Sequence, residues 1–203
     1  MASDPAEQDT DAAGATVARA GRYADANPAR WHGRVIVRSA DVALAAMPMP
    51  LSVLDVGCGT GALLREVLVR VPYGESYVGV DPMADRVAEA REYSDPRIRF
   101  LRAEPESLPF PDAHFDLVVS SLSFDHWADQ HRGVAELARV VSKSGTVVLI
   151  DRSAGWLPAK GRARSPRRMT DLLTAAGLRV RKREIVFRIA YTVPLVRAFI
   201  ATH

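Results

Sequence analysis

Apolar and polar positions along this chain of 203 residues alternate in blocks that predict strands interleaved with amphipathic helices. Asn27-Pro28 reads as an N-cap followed by proline at the first helical position. A helix then runs to about Met47 with Ile36, Ala40, Ala43, Leu44 and Met47 inward, and Pro48 and Pro50 end it. A strand over Leu51 to Val56 leads into a glycine turn. Leu64, Val67, Leu68 and Val71 then have helical spacing, stopped by Pro72. Ser76 to Asp81 is a second strand, and Pro82 opens a helix along Met83, Val87 and Ala90. Arg97 to Leu101 is a third strand. Phe115 to Ser120 is a fourth, and its unbroken apolar run suits a strand covered on both faces. Val134, Leu137, Ala138 and Val141 mark another helix, and Gly145 to Asp151 a fifth strand.

Strands alternating with helices at these lengths predict an open parallel sheet with helices on both faces. Right-handed crossovers place every strand's C-terminal end on one edge, where ligands bind. The last quarter breaks the pattern. Gly155 to Ser165 reads as a basic loop. Pro166 to Ala176 is a short helix with Met169, Leu172 and Leu173 inward and Gly177 as its cap. Leu178 to Ile189 and about Val193 to Ala201 are β-rich with a short connection, which suits antiparallel neighbours. Val180 and Ile185 fall on opposite parities, as a bulge would place them. Residues 1–20 lack a sustained apolar period and are expected to be disordered, leaving residues 21–203 as a single domain.

Composition narrows the class. No apolar run reaches the roughly 20 residues of a membrane span, and the polar, acidic start of the chain has no signal-peptide core. The single cysteine, Cys58, rules out an internal disulfide and suits a reducing, cytoplasmic setting. Charge is lopsided: from Asp151 onward there are 12 Lys and Arg against 3 Asp and Glu, while the first 150 residues hold 15 against 21. A basic tail fits an acidic partner, nucleic acid or a membrane surface, and equally a solvated Arg-rich face. Zinc-ligand spacing, a nucleophile elbow and a Walker lysine are all missing, so no metal is expected.

The candidate chemistry centres on Val53-Leu54-Asp55-Val56-Gly57-Cys58-Gly59-Thr60-Gly61. Glycines at alternating positions supply positive φ and lack a Cβ, so a ligand can approach the backbone. The following helix presents unpaired N–H groups and a positive dipole end. Gly57, Gly59 and Ala62 also fit the dinucleotide pattern G-x-G-x-x-A. Asp81, about 20 residues on at the end of the second strand, matches the acid that accepts hydrogen bonds from a ribose diol. It can equally cap the helix opened by Pro82. Met83 is a flexible apolar residue suited to an adenine face or to core packing. Asp55 is a carboxylate inside a strand, costly unless paired. A ligand ammonium or the turn's own N–H groups would satisfy it. Cys58 is placed by the turn and is not read as a nucleophile.

The glycine segment resembles motif I of the class I S-adenosylmethionine-dependent methyltransferases, V-L-D-x-G-C-G-T-G. The extra Gly61 and the strand-borne Asp55 favour that user of the turn over a dinucleotide. Two further segments carry the resemblance, which covers roughly Tyr23 to His203. Glu104-Pro105-Glu106-Ser107-Leu108-Pro109-Phe110 is similar to the family's D-A-E-x-L-P-F, and Phe115-Asp116-Leu117-Val118-Val119-Ser120 to F-D-x-V-x-S. Within the family, the menaquinone/ubiquinone-biosynthesis-like branch (methyltransferase type 11) is the nearest in pattern. The expected fold is thus a doubly wound, mostly parallel seven-stranded α/β sheet with an antiparallel last strand, and the cofactor S-adenosyl-L-methionine.

The resemblance implies roles residue by residue. Gly57, Cys58, Gly59, Thr60 and Gly61 seat the methionine end, with the turn amides better placed than the Thr60 side chain. Asp55 and a backbone carbonyl at Ser120 or Ser121 meet the ammonium. Asp81, Pro82 and Met83 take the ribose and adenine. Glu104 takes the adenine amine where the family has aspartate. Pro105 has no N–H to offer, so Glu106 supplies the amide. Asp116 is read as structural. Relatives often carry Leu-His-His after motif IV, and here Phe124-Asp125-His126-Trp127 stands in that loop with only the second His matching. His126 or Asp125 can take a proton from an acceptor, or both can simply shape the turn. Tyr23, Trp31 and His32 are candidate lid residues on a helical N-terminal segment, and Phe124, Trp127 and Trp156 point to a small apolar or aromatic acceptor. The implied product is S-adenosyl-L-homocysteine.

Two other classes stay in view. One is an NAD-dependent oxidoreductase using the same turn. The other is a non-catalytic cofactor- or RNA-binding module, prompted by the basic tail, although the absence of an aromatic stacking motif tells against nucleic acid. The sequence does not choose between monomer and homodimer.

Overall fold

Both faces of the first strand, β1 (Ser52–Val56), are apolar, and both are covered. In the computed structural model, which describes residues 28–92, 95–153, 165–189 and 193–203, β1 is the centre of a sheet. On one side β2 (Ser76–Asp81) and then β3 (Ile98–Arg102) pair parallel to it. On the other side β4 (Phe115–Ser121) and then β5 (Val141–Arg152) do the same. The chain ends in β6 (Arg179–Ile189) and β7 (Val193–Thr202). β7 inserts between β5 and β6, antiparallel to both, so the order is β3-β2-β1-β4-β5-β7-β6. This is the doubly wound, mostly parallel seven-stranded sheet expected from the sequence, and the expected irregularity in β6 is present as register shifts around Val180 and Ile185.

Alternating side chains divide the core in two. Val53, Tyr77, Phe100, Val119 and Ile150 pack under α1 (Pro28–Ala46), α2 (Ala62–Arg70) and α3 (Ala84–Arg91). Leu54, Val80, Val118, Leu149 and Phe199 pack under α4 (Gln130–Val140) and α5 (Pro166–Ala175). The inward stripes expected for α2 and α5 are the buried ones: Leu64, Val67 and Leu68, and Met169, Leu172 and Leu173. Each such aliphatic side chain contributes roughly 1.5–3 kcal/mol by leaving water.

Three elements differ from expectation. In α1 the fully buried positions are Val35, Ser39, Ala40, Val42 and Ala43, while Ile36, Leu44 and Met47 are half-buried. Val35, Ser39, Val42 and Ala43 keep the ordinary i, i+4, i+7, i+8 spacing, so the buried face of α1 is rotated by about one residue from the expected stripe. Val141 is not the last helical residue but the first of β5, which begins there rather than at Gly145. The intervening residues bulge: pairing with β4 passes from Phe115↔Val141 to Leu117↔Thr146. α3 starts at Ala84, with Met83 as its extended N-cap residue rather than part of its stripe.

Asp116 acts at the N-terminal edge of the sheet, away from the glycine turn. Its Oδ2 accepts the amides of Leu51 and Ser52, both at 3.0 Å, and the Ser52 hydroxyl accepts the Asp116 amide at 3.0 Å. It staples the start of β1 to the start of β4, the structural role expected of it. Tyr23, Trp156 and most of the basic loop lie outside the described residues.

Candidate cofactor site

The C-terminal ends of β1, β2 and β4 meet at the glycine turn, residues 57–61. Gly57, Gly59 and Gly61 all have left-handed backbone, with φ of 75°, 54° and 78°. Two of them are also packing glycines. A Cβ at Gly57 would lie 2.3 Å from the Ser123 side chain, and one at Gly61 would lie 2.4 Å from the Phe100 ring. Gly59 differs: a Cβ there meets no described atom within 4 Å. The turn is therefore clamped at both ends and open in the middle.

Its amides are largely committed. Those of Gly57 and Cys58 both donate to the Val80 carbonyl, at 2.8 and 3.0 Å, and that of Gly61 to the Cys58 carbonyl at 2.9 Å. The Gly59 amide donates to Asp81 Oδ2 at 2.9 Å. This corrects the expectation that the turn amides as a group receive an anionic ligand end or satisfy Asp55. The amides still available for a ligand belong to Thr60 and the first residues of α2.

Asp55 is 2% exposed, on the α2 side of β1, and among the described residues no donor reaches its carboxylate. Burial, with the charge of Asp81 second, pushes its pKa up to about 8. A buried acid that accepts no hydrogen bond from the described residues is costly to ionise unless a cation meets it. Asp81, 8% exposed, does two jobs. Oδ1 accepts the Met83 amide at 2.9 Å, a local turn leading into α3, while Oδ2 holds Gly59. Burial raises its pKa and the two amides oppose the rise. Each oxygen keeps a second lone pair, so the two amides do not use up the carboxylate.

The remaining nucleoside candidates line up beside Asp81. The Ala103 amide extends the β2–β3 pairing by donating to the Asp81 carbonyl at 3.3 Å, which brings the loop starting at Glu104 alongside. Glu104 is exposed, and its pKa is raised by partial burial and by the charges of Glu106 and Asp81. Pro82 and Met83 are half-buried, Pro105 buried. The Cys58 thiol is buried and donates to the Gly59 carbonyl at 3.6 Å; burial, with Asp55 and Asp81 adding to it, holds the thiol protonated. That agrees with its exclusion as a nucleophile.

Across the turn, the end of β4 is built from hydroxyls. Ser120 Oγ lies 2.8 Å from Ser123 Oγ, which donates to the Val56 carbonyl at 3.0 Å and accepts the Trp127 indole N–H at 3.3 Å. Ser121 Oγ meets Ser39 Oγ of α1 at 3.1 Å. Leu122 turns the chain with φ 58°, rare for a residue with a branched side chain. A single helical turn over Phe124–His126 follows.

This loop corrects three expectations. Phe124 is 0% and Trp127 4% exposed. Their rings pack edge to face at 5.0 Å in the core under α4, where Gly133 leaves room for the indole, so neither faces an acceptor. Asp125 is 6% exposed, packed against Asp151, so it is not an open base. His126 is half-buried and remains the candidate for proton transfer. His32 is half-buried on α1, where burial lowers its pKa, while Trp31 is placed only by its backbone.

Asp151 is the residue the sequence reading missed. It is the second-last residue of β5 and is fully buried. Its carboxylate accepts the amides of Asp125 at 3.2 Å and Arg152 at 2.5 Å. Burial and the charge of Asp125 push its pKa up to about 7. The signal available was a lone acid ending an apolar strand at the ligand edge, the same signal that flagged Asp81. Among the described residues no cluster suits a metal ion, and no helix is long and apolar enough to cross a membrane.

Comparison with known proteins meets this geometry. A family described as "Methyltransferase domain" matches residues 54–149, the span from β1 to β5. A demethylmenaquinone methyltransferase of Thermus thermophilus is 35% identical over 125 residues, covering 60% of this chain and 54% of that one. The chain spans about half the length of the curated relatives it matches. In structure it is similar to an S-adenosylmethionine-dependent methyltransferase from Aquifex aeolicus, with TM-score 0.67 and 21% identity over 80% of this chain and 88% of that one. It is equally similar to the [4+2]-cyclase SpnF, with TM-score 0.68 and 18% identity over 81% of this chain and 79% of that one. The match over residues 54–149 covers just under half of this chain, and the seven-stranded order with its antiparallel β7 is the fold it shares with these structural neighbours.

Proposed function

We propose that this protein moves a methyl group from S-adenosyl-L-methionine to a small apolar or aromatic acceptor, releasing S-adenosyl-L-homocysteine. The observation that carries the reading is Asp55: a carboxylate 2% exposed, with no donor among the described residues, near the end of the strand that runs into the glycine turn. The residues present fit the cofactor. Asp55 would hold its ammonium, Thr60 and the first amides of α2 its carboxylate, Asp81 its ribose, and Met83 and Glu104 its adenine. When bound, the sulfonium supplies an already activated methyl group, so the chain's own work is positioning and exclusion of water. Ser120, Ser123 and Leu122 shape the wall where an acceptor's lone pair would approach. His126 would take the proton of an acceptor that carries one. The name of the Thermus relative favours a quinone-like aromatic acceptor.

The fold by itself carries no chemistry, since a cyclase shares it. The test is therefore direct. Calorimetric titration should give saturable heat with S-adenosyl-L-methionine and with S-adenosyl-L-homocysteine, and none with NADH. A radiolabelled methyl donor should then label members of an aromatic and quinol acceptor panel. Tight NADH binding with silence toward both sulfur nucleosides would transfer the site to a dinucleotide enzyme. Binding without any methyl transfer would leave a cofactor-binding module.

A further inference from the structure

The loop that follows β3 has no regular structure over residues 103–114, yet α4 grips it at every second residue. Glu106 Oε1 accepts the amide of Asp129, the N-cap residue of α4, at 3.0 Å. Glu136 Oε2 accepts the Leu108 amide at 2.7 Å. Arg139 then spends its guanidinium on the same stretch. Nη2 donates to the Leu108 carbonyl at 3.0 Å, and Nη1 donates to the Phe110 carbonyl and to Asp112 Oδ1, both at 2.8 Å. Glu136 fixes the fork from behind, accepting Nε at 2.7 Å and Nη2 at 2.8 Å. Leu108 thus has both its amide and its carbonyl held by one ion pair. Only the planar, five-donor guanidinium can serve three backbone and side-chain acceptors and a bidentate carboxylate at once.

The pair does not sit at the chemistry. It lies in the last turn of α4, with Arg139 the second-last residue of that helix. What it holds is the segment whose first residue, Glu104, stands beside Asp81. The structure assigns Arg139, oriented by Glu136, as a positioning residue for the nucleoside's base: it fixes the backbone of residues 104–112 so that Glu104 and the Glu106 amide keep their places next to Asp81. This rests on the methyltransferase reading of the site. The four contacts are not equal. Asp112 is 78% exposed, so its ion pair contributes little, and the weight falls on the two carbonyls and Glu136.

The decisive variant is Arg139→Lys, which keeps the charge and loses the fork. Hydrogen exchange in the ligand-free protein should show the Ser107 and Leu108 amides exchanging about tenfold faster than in the parent, with the β1 and β4 amides unchanged. Calorimetry should show S-adenosyl-L-homocysteine bound about tenfold more weakly. The analogue carrying hypoxanthine in place of adenine should weaken by less than twofold, so the parent's preference for adenine collapses. Glu136→Gln should move each readout the same way by about threefold, and Asp112→Ala by less than twofold. A merely structural Arg139 would lower the melting temperature and weaken both nucleosides alike. That result, or parental exchange at Ser107 and Leu108, overturns the assignment. A parent protein that binds neither nucleoside overturns the cofactor reading instead, and the exchange rates then still decide whether Arg139 holds the loop.

Discussion

The two halves of the ligand edge are built differently. Beside β1, β2 and β3 the site is made of backbone: a clamped turn with one open glycine, and two buried carboxylates at strand ends. Beside β4 and β5 it is made of side chains that look inward: paired serines, a ring pair in the core, and Asp151 gathering amides. The first half presents charge and hydrogen-bond capacity to a ligand. The second spends its polar groups on holding one short turn in shape. On the proposed reading, a cofactor would use the former, while an acceptor would need only a wall and one reactive group.

The largest test of this contrast is Asp81→Asn. Two amides now donate to two carboxylate oxygens. The amide side chain offers one oxygen and turns an N–H₂ group toward the other donor. Losing charge-assisted bonds to the turn, to Met83 and to a diol should weaken S-adenosyl-L-homocysteine by at least about 100-fold in a calorimetric titration. Binding within threefold of the parent would mean that the sugar is held elsewhere, and the contrast between the halves would fail.

Asp55→Asn should come next, with opposite signs in two measurements. The folded pKa near 8 lies above the ordinary 3.8 of an unfolded Asp. Between those values the unfolded chain sheds a proton that the folded one keeps, so stability falls as pH rises through that window. The neutral amide escapes this cost, and at pH 7 the ligand-free variant should melt higher, by roughly 5 °C. Its affinity for S-adenosyl-L-homocysteine should drop by about 30-fold, because the ammonium loses its partner. In the parent, binding a cation at Asp55 should release a proton, so affinity should climb as pH rises toward 8. Titrations in buffers of different ionisation enthalpy would count that proton.

Gly57→Ala and Gly59→Ala separate shape from access. Both place an L side chain at positive φ, which costs roughly 1–2 kcal/mol. Gly57→Ala also drives a methyl into Ser123, so its melting temperature should fall further, with loss of the turn. Gly59→Ala should fold, melt only a few degrees lower, and still lose about tenfold in cofactor affinity, because its methyl occupies open space at the turn's centre. Equal melting temperatures for the two would show that the clamp at Gly57 does not matter.

What could be read from the chain follows the same division. The sheet, the turn, Asp55, Asp81 and the structural Asp116 were legible because each is dictated by local rules: period, positive φ, an acid at a strand end. Phe124 and Trp127 were misassigned because an aromatic residue in a ligand-edge loop looks the same whether it faces out or in. Only the helical turn and the gap left by Gly133 send their rings to the core. Asp151 carried the same signal as Asp81, an acid near the end of an apolar strand, but its hold on the Asp125 amide was not legible. Neither was the grip of Arg139 and Glu136 on residues 108–112, because those partners lie 26–31 residues away. The commitment of the turn amides to Val80 was hidden for the same reason: it depends on how β2 lies beside β1.

The smallest effect on cofactor, and the sharpest on the acceptor half, should come from Asp151→Asn. Its carboxylate collects the amides of Asp125 and Arg152, and so holds the turn that carries His126. An asparagine can satisfy them only in part, so the turn should loosen without leaving its place. Affinity for S-adenosyl-L-homocysteine should stay within twofold, because the Asp151 carboxylate bonds to Asp125 and Arg152 and not to the glycine turn or Asp81. Turnover of a proton-bearing acceptor at saturating cofactor should fall about tenfold. Burial holds Asp151 protonated up to about pH 7, and its ionised form grips the amides harder. The parent's kcat should therefore gain an inflection near pH 7 that the variant lacks. A variant that kept the parental profile while losing cofactor affinity would show that the two halves of the edge are one mechanical unit, with β4 transmitting strain from Asp151 to the turn.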